Sequence, residues 1–200
     1  MSTENVNLQI LITGDKNPRG IPAAKFIENV DDFLGHGKFS VESALGALNE
    51  LYSKYKYMES SFEKSKSIYK SKLPEIEQTL ELVKLMVSKS ENEEEMITNY
   101  GLSDTLYAKA QIDLSANVVY LWIGAGTMVE YTYEEAIDLL QNQQAQTKLK
   151  IQELQEDLYF LRGNSITVEV NMARLFNHSV KARKLQEAAE KPAVTNTANP

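Results

Sequence analysis

Two hundred residues suit one ordinary domain or two small ones, and 28 acidic against 21 basic residues leave a net charge of −7. That balance argues against a general nucleic-acid or anionic-membrane binder, whose expected footprint is basic, and the lack of cysteine excludes a disulfide framework, a thiolate zinc site and a cysteine nucleophile. The longest apolar run, residues 118–123, falls far short of the roughly 18 that a membrane span needs, and no secretory signal is evident, so a soluble intracellular protein is expected.

Residues 1–39 form an N-terminal segment expected to be extended and partly disordered, with no sustained periodicity up to about residue 28. NPRGIP at 17–22 places two prolines and a glycine in six residues, which forbids helix. Two readings stay open for this segment: extended chain docked on a partner or on the protein's own surface, or simple disorder. Residues 29–34 suit a helical turn, and Gly35-His36-Gly37 then breaks the chain. Ser40 is a good N-cap, with Glu42 in the first turn of a helix over 40–88. Its seam alternates steps of four and three: Val41, Leu45, Leu48, Tyr52, Tyr55, Glu59, Phe62, Lys66, Tyr69, Leu73, Ile76, Leu80, Val83 and Val87. Twelve of those fourteen positions are apolar or aromatic, and a seam held so long means a coiled coil rather than one face of a globular core. Pro74 predicts a kink in a continuing helix.

SKSENEEE ends this arm as part of an acidic linker over 89–96. Residues 97–132 follow with four runs rich in Val, Ile, Tyr, Thr and Trp, broken at Ser103-Asp104 and Gly124-Ala125-Gly126, which predicts two β-hairpins. Leu106, Ala108, Ala110 and Ile112 alternate with polar or amphipathic residues, whereas 118–123 is apolar throughout and reads as buried on both faces. A capping box, Thr132 with Glu135, opens a second arm over 133–190. Its seam runs Tyr133, Ile137, Leu140, Gln144, Thr147, Ile151, Leu154, Leu158, Leu161, Ser165, Val168, Met172 and Leu175. The tail 191–200 has nothing to bury and is expected to be disordered.

The expected class is therefore α+β and mostly α: a long antiparallel coiled-coil hairpin of two helices joined by two β-hairpins. Two hairpins alone cover too little apolar surface to be stable in water, so Trp122 and its neighbours need strands from another chain. An obligate oligomer follows. Nothing assembles a nucleophile, a base and an orienting group, so no enzyme, cofactor or metal is expected. GAGT at 124–127 reads as a hairpin turn rather than a phosphate loop, His36 and His178 as isolated exposed histidines, and 91–95 as a solvated charge run. Tyr52, Tyr55 and Tyr69 fall on the seam and read as packing residues, not as a base-stacking platform. At the arm ends farthest from the hairpins, Val41, Leu45 and Leu48 meet Met172, Leu175, Phe176 and Val180. These either form an open apolar surface for unfolded polypeptide or simply close the seam.

The strings NPRGIPAAKFIENV, YSKYKYME, LPEIEQTLELVK, DTLYAKAQI, LWIGAGTMVEYTYEEA and DLYFLRGNSITVEVNMARLFN, in this order over about residues 17–183, resemble α-class prefoldin subunits. The chain departs from that pattern at His178, where a tryptophan is common. The resemblance implies a hexameric, ATP-independent co-chaperone of the eukaryotic cytosol, built from two α-class and four β-class chains. It further implies capture of unfolded actin and tubulin and their delivery to the cytosolic group II chaperonin, with no nucleic-acid or membrane partner. Leu106, Ala108, Ala110, Ile112, Val119, Leu121, Trp122, Ile123, Met128 and Val129 would then be assembly residues, and the seven arm-end residues would contact the client. A structural coiled-coil adaptor in a related α-class scaffold, making one specific protein contact, is the competing expectation.

Overall fold

The computed structural model describes residues 7–35 and 38–190. His36 and the 191–200 tail, whose exposure and disorder the sequence suggested, lie outside them. In chain order the elements are a 3-10 turn (Leu8–Ile10), β1 (Ile12–Lys16), β2 (Pro22–Ala24), α1 (Val30–Leu34), α2 (Val41–Glu91), β3 (Met96–Ser103), β4 (Leu106–Ile112), β5 (Val118–Gly124), β6 (Thr127–Thr132) and α3 (Tyr133–Glu190). Mostly helical, with short antiparallel strand pairs, the chain has the class its seams implied. Two compact units form: one from residues up to 64 together with those from 155 onward, the other from 65–154. Both long helices contribute to each.

In the first unit the two helices run antiparallel. Arg162 reaches Glu59 (3.1 Å) and Glu63 (2.6 Å), while Tyr52 donates to Glu169 (2.6 Å). The core holds Ala44, Ala47, Leu48, Leu51 and Tyr55 from α2 and Leu161, Val168 and Leu175 from α3. Ser40 caps α2 as expected, accepting from the Ser43 amide at 3.0 Å.

Of the readings left open for the N-terminal segment, its described part follows docking on the protein's own surface, with short strands and a helical turn in place of a plain extended run. It folds back onto the chain's own helices as a strap, residues 8–34. Four apolar anchors (Leu11, Ile21, Ile27 and Leu34) enter the core, which supplies the burial that ordering so irregular a segment requires. Asn17 makes the β1–β2 turn possible, because its side-chain oxygen accepts from the Arg19 (3.1 Å) and Ile21 (2.8 Å) amides. Asn29 caps α1, and Gly35 ends it in the left-handed region at φ 57°.

In the second unit Leu80, Val83, Tyr133, Ala136 and Leu140 pack with Val119. Glu77 accepts from Gln144 (2.9 Å) and pairs with Lys148 (3.1 Å), again between antiparallel helices. α2 continues through Pro74 and runs on to Glu91, so 89–91 are helix and only 92–95 link it to β3. Lys89 suits the negative end of the helix dipole, and the stop comes at Glu93, left-handed at φ 56°, with the Glu94 amide returning to Lys89 O at 2.9 Å.

β3 pairs only with β4 and β5 only with β6, giving two separate two-stranded sheets in this unit. Ala125 (φ 50°) and Gly126 (φ 72°) form the two-residue β5–β6 turn, whose doubly positive backbone matches strand twist and explains the glycine. The Thr132–Glu135 capping box is present: the Thr132 amide donates to Glu135 at 3.0 Å, and the Glu135 amide donates back to Thr132 Oγ1 at 3.4 Å.

One expectation fails in this unit. Residues 118–123 are not buried on both faces: Val119 and Leu121 turn inward, while Tyr120, Trp122 and Ile123 are exposed. The helices pack against Val119 and Leu121 on one side of this sheet.

Candidate functional site

Two places concentrate apolar side chains together with hydrogen-bonding groups: one exposed, the other filled by the chain's own N-terminal strap. The first is the outward face of the hairpins. Trp122 is 67 % exposed and lies opposite Met128, itself exposed, in the β5–β6 register. Leu106 and Ile123 are also exposed. Of the other residues expected in assembly, Ala108, Ala110, Ile112, Leu121 and Val129 are half-buried and Val119 lies in the core. Ile97, Tyr100 and Leu102 of β3, Tyr107 of β4 and Tyr120 of β5 are exposed as well; alternation was too weak along β3 to single out its three. The β3–β4 hairpin contributes no residue to either core. Each two-stranded sheet also leaves both outer edges with unpaired amide and carbonyl groups, a template for strands of another chain. Tyr120 donates to Glu130 across the strands at 2.5 Å, and that hydrogen bond holds its phenol above the ordinary range. A cleft of about 550 Å³, lined by Tyr69, Lys72, Ile76, Trp122, Gln146 and Lys150, opens beside this face.

The second place is the groove under the strap. Asp157, Asn164, Asn171 and His178 recur every seven residues along α3, and each of them grips the strap. Asp157, 2 % exposed, accepts from Asn17 Nδ2 and Arg19 Nε, both at 2.6 Å. That bond raises the Arg19 guanidinium further above its usual value, with Glu156 adding at 3.1 Å. Asn164 accepts from the Ala24 amide at 2.6 Å. Asn171, 1 % exposed, accepts from the Ile27 amide (2.9 Å) and donates to the Lys25 carbonyl (2.8 Å). His178 Nε2 lies 2.8 Å from Asp31, so this histidine is half-buried and partnered rather than isolated and exposed. Tyr55 donates to the Pro22 carbonyl at 2.9 Å, and its burial pushes the phenol up to about 12. The ladder's signal was present in the sequence as polar residues at a strict heptad spacing, each just before a seam position or its continuation.

The seven residues expected to meet a client divide. Leu48 and Leu175 are 1 % and 0 % exposed and belong to the closed core. Val41, Leu45 and Met172 are half-buried against it, Val180 is half-buried, and Phe176 is exposed.

A family model described as "Prefoldin subunit" matches residues 55–178. The chain belongs to the prefoldin family. It is 41 % identical over 175 residues to prefoldin subunit 3 of Mus musculus, covering 87 % of this chain and 89 % of that protein. It is 38 % identical over 185 residues to prefoldin subunit 3 of Saccharomyces cerevisiae, covering 88 % and 92 %, and 40 % identical over 168 residues to that of Elsinoe fawcettii, covering 84 % of each. Prefoldin subunits are co-chaperones without enzymatic activity, and they assemble with other prefoldin subunits. In this prefoldin chain the whole ladder from Asp157 to His178 falls inside the matched residues, whereas the strap falls outside them. No helix among the described residues is long and apolar enough to cross a membrane.

Proposed function

We propose that this prefoldin chain is an α-class subunit of a cytoplasmic hexamer of two α-class and four β-class chains. The hexamer holds unfolded actin and tubulin without ATP and passes them to the cytosolic group II chaperonin. Residues 97–132 are its assembly joint. The observation that carries this reading is the outward hairpin surface around Trp122 and Met128, apolar and flanked by unpaired strand edges, on a chain whose long helices pack without it. Several weak apolar contacts, multiplied over the subunits of one assembly, give reversible capture without a single tight site.

The closed core around Leu48 and Leu175 favours a second reading, a structural adaptor making one specific protein contact. Purified assembled complex, added below stoichiometry to guanidinium-diluted actin, decides between them by light scattering. Suppressed aggregation supports the holding function; none, with assembly intact, supports the adaptor.

A further inference from the structure

Between residues 22 and 27 the helices hold the strap through its peptide groups. Tyr55 donates to the Pro22 carbonyl, Asn164 accepts from the Ala24 amide, and Asn171 spans the Lys25 carbonyl and the Ile27 amide. None of these four bonds involves a strap side chain. The side chains held here are apolar: Ile21 and Ile27 enter the core, Ala24 packs against it, and the Phe26 ring lies 5.2 Å from the Arg174 guanidinium. Peptide groups are the same in every polypeptide, so such contacts recognise extended backbone with apolar residues and are indifferent to sequence otherwise.

The strap's two ends are held differently. Arg19 and Asn17 clasp the buried carboxylate of Asp157, and Asp31 meets His178. Those contacts need particular side chains at both partners and belong to the strap alone.

We infer that this groove is a binding site for extended apolar polypeptide, and that residues 21–27 occupy it as an internal stand-in which a client segment displaces. The inference rests on the client-holding reading above. It accounts for the closed core: Leu48, Val168 and Leu175 share one buried cluster with the strap anchors Leu11, Ile21, Ile27 and Leu34, and lifting the strap opens that cluster to a client. The clasps at Asp157 and His178 set how readily that happens, because a fractionally open site binds with its affinity reduced by that fraction.

Hydrogen exchange in the assembled hexamer, with guanidinium-unfolded actin as the probe, tests this without altering the chain. Saturating actin should speed exchange at the Ala24 and Ile27 amides by about tenfold or more, leaving α2 amides over 80–87 unchanged. Ile21→Asp with Ile27→Asp should tighten actin capture by about threefold or more at unchanged hexamer mass. A labelled peptide of residues 17–34, free in solution, should bind that double variant by fluorescence anisotropy and compete with actin. Unchanged exchange under saturating actin, or unchanged capture in an assembled double variant, overturns the inference; should the variant not assemble, the exchange measurement on the unaltered chain decides. If the unaltered hexamer captures no actin, the client-holding reading fails by itself. Peptide binding then decides whether the groove accepts extended chain, and its absence overturns the groove as well.

Discussion

Asn171→Ala removes the side chain that clamps the strap at two points. The carboxamide is 1 % exposed, accepts from the Ile27 amide at 2.9 Å and donates to the Lys25 carbonyl at 2.8 Å. Truncation strands one buried donor and one less buried acceptor, each costing about 1–3 kcal/mol, with the Lys25 carbonyl toward the lower figure because water reaches it. The total is about 2–4 kcal/mol of strap docking, which corresponds to exchange at the Ile27 amide roughly 30- to 700-fold faster. Asn164→Ala provides the internal comparison. It loses a single strap bond, from the Ala24 amide, since its other arm donates to Phe160 O of its own helix at 2.8 Å. Its effect should be about 1–2 kcal/mol and confined to Ala24 and its neighbours. The measurement is residue-resolved hydrogen exchange on the assembled complex, with core amides such as Leu161 as the reference for global opening. A rise of less than about threefold at Ile27 in assembled Asn171→Ala would mean that the apolar anchors alone hold the strap, and the ladder argument would fall.

Trp122→Asp places a carboxylate on the outward hairpin face, so the helices should persist by circular dichroism while light scattering shows the hexamer mass lost; a surviving hexamer refutes the assembly role given to that face. Ser165 is buried in the α3 seam with no hydrogen-bond partner for its hydroxyl among the described residues, so Ser165→Ala should raise stability by about 1 kcal/mol in thermal or urea unfolding, and a loss of that size would contradict it. Glu59 has its carboxyl held below the ordinary 4.5, first by the Lys56 hydrogen bond and then by Arg162. Because the folded value is the lower one, its stabilisation is complete above about pH 4.5 and is lost as pH falls through that folded value. The melting temperatures of the parent chain and Glu59→Gln should therefore converge on acidification, and a gap that stays constant down to pH about 3 would rule the linkage out.

The parts of this fold that could be read from the chain are those whose partners repeat. Every seam position named on α2 and α3 is buried or half-buried, including the polar ones. Glu59 sits there by pairing with Arg162, and Gln144 by donating to Glu77, so a polar residue did not break the period. Capping of α2 by Ser40 and of α3 by Thr132 and Glu135 was legible because each uses neighbours within three residues. The outward side of 118–123 misled because an unbroken apolar run carries no mark of which face the chain itself covers; Tyr120 and Trp122 are exposed.

The strap was illegible for a different reason. Its anchors at 11, 21, 27 and 34 follow no period, since they come from a turn, a hairpin, a loop and a short helix. What orders them is spaced on the other partner, at 157, 164, 171 and 178, more than a hundred residues away in sequence. Taken alone, those four polar residues look like the solvated flank of a coiled coil. A regular row of hydrogen-bonding side chains beside a seam acquires meaning only once something extended lies along it. The strap lies along it, held through peptide groups at Asn164 and Asn171 and through its own side chains at Asp157 and His178.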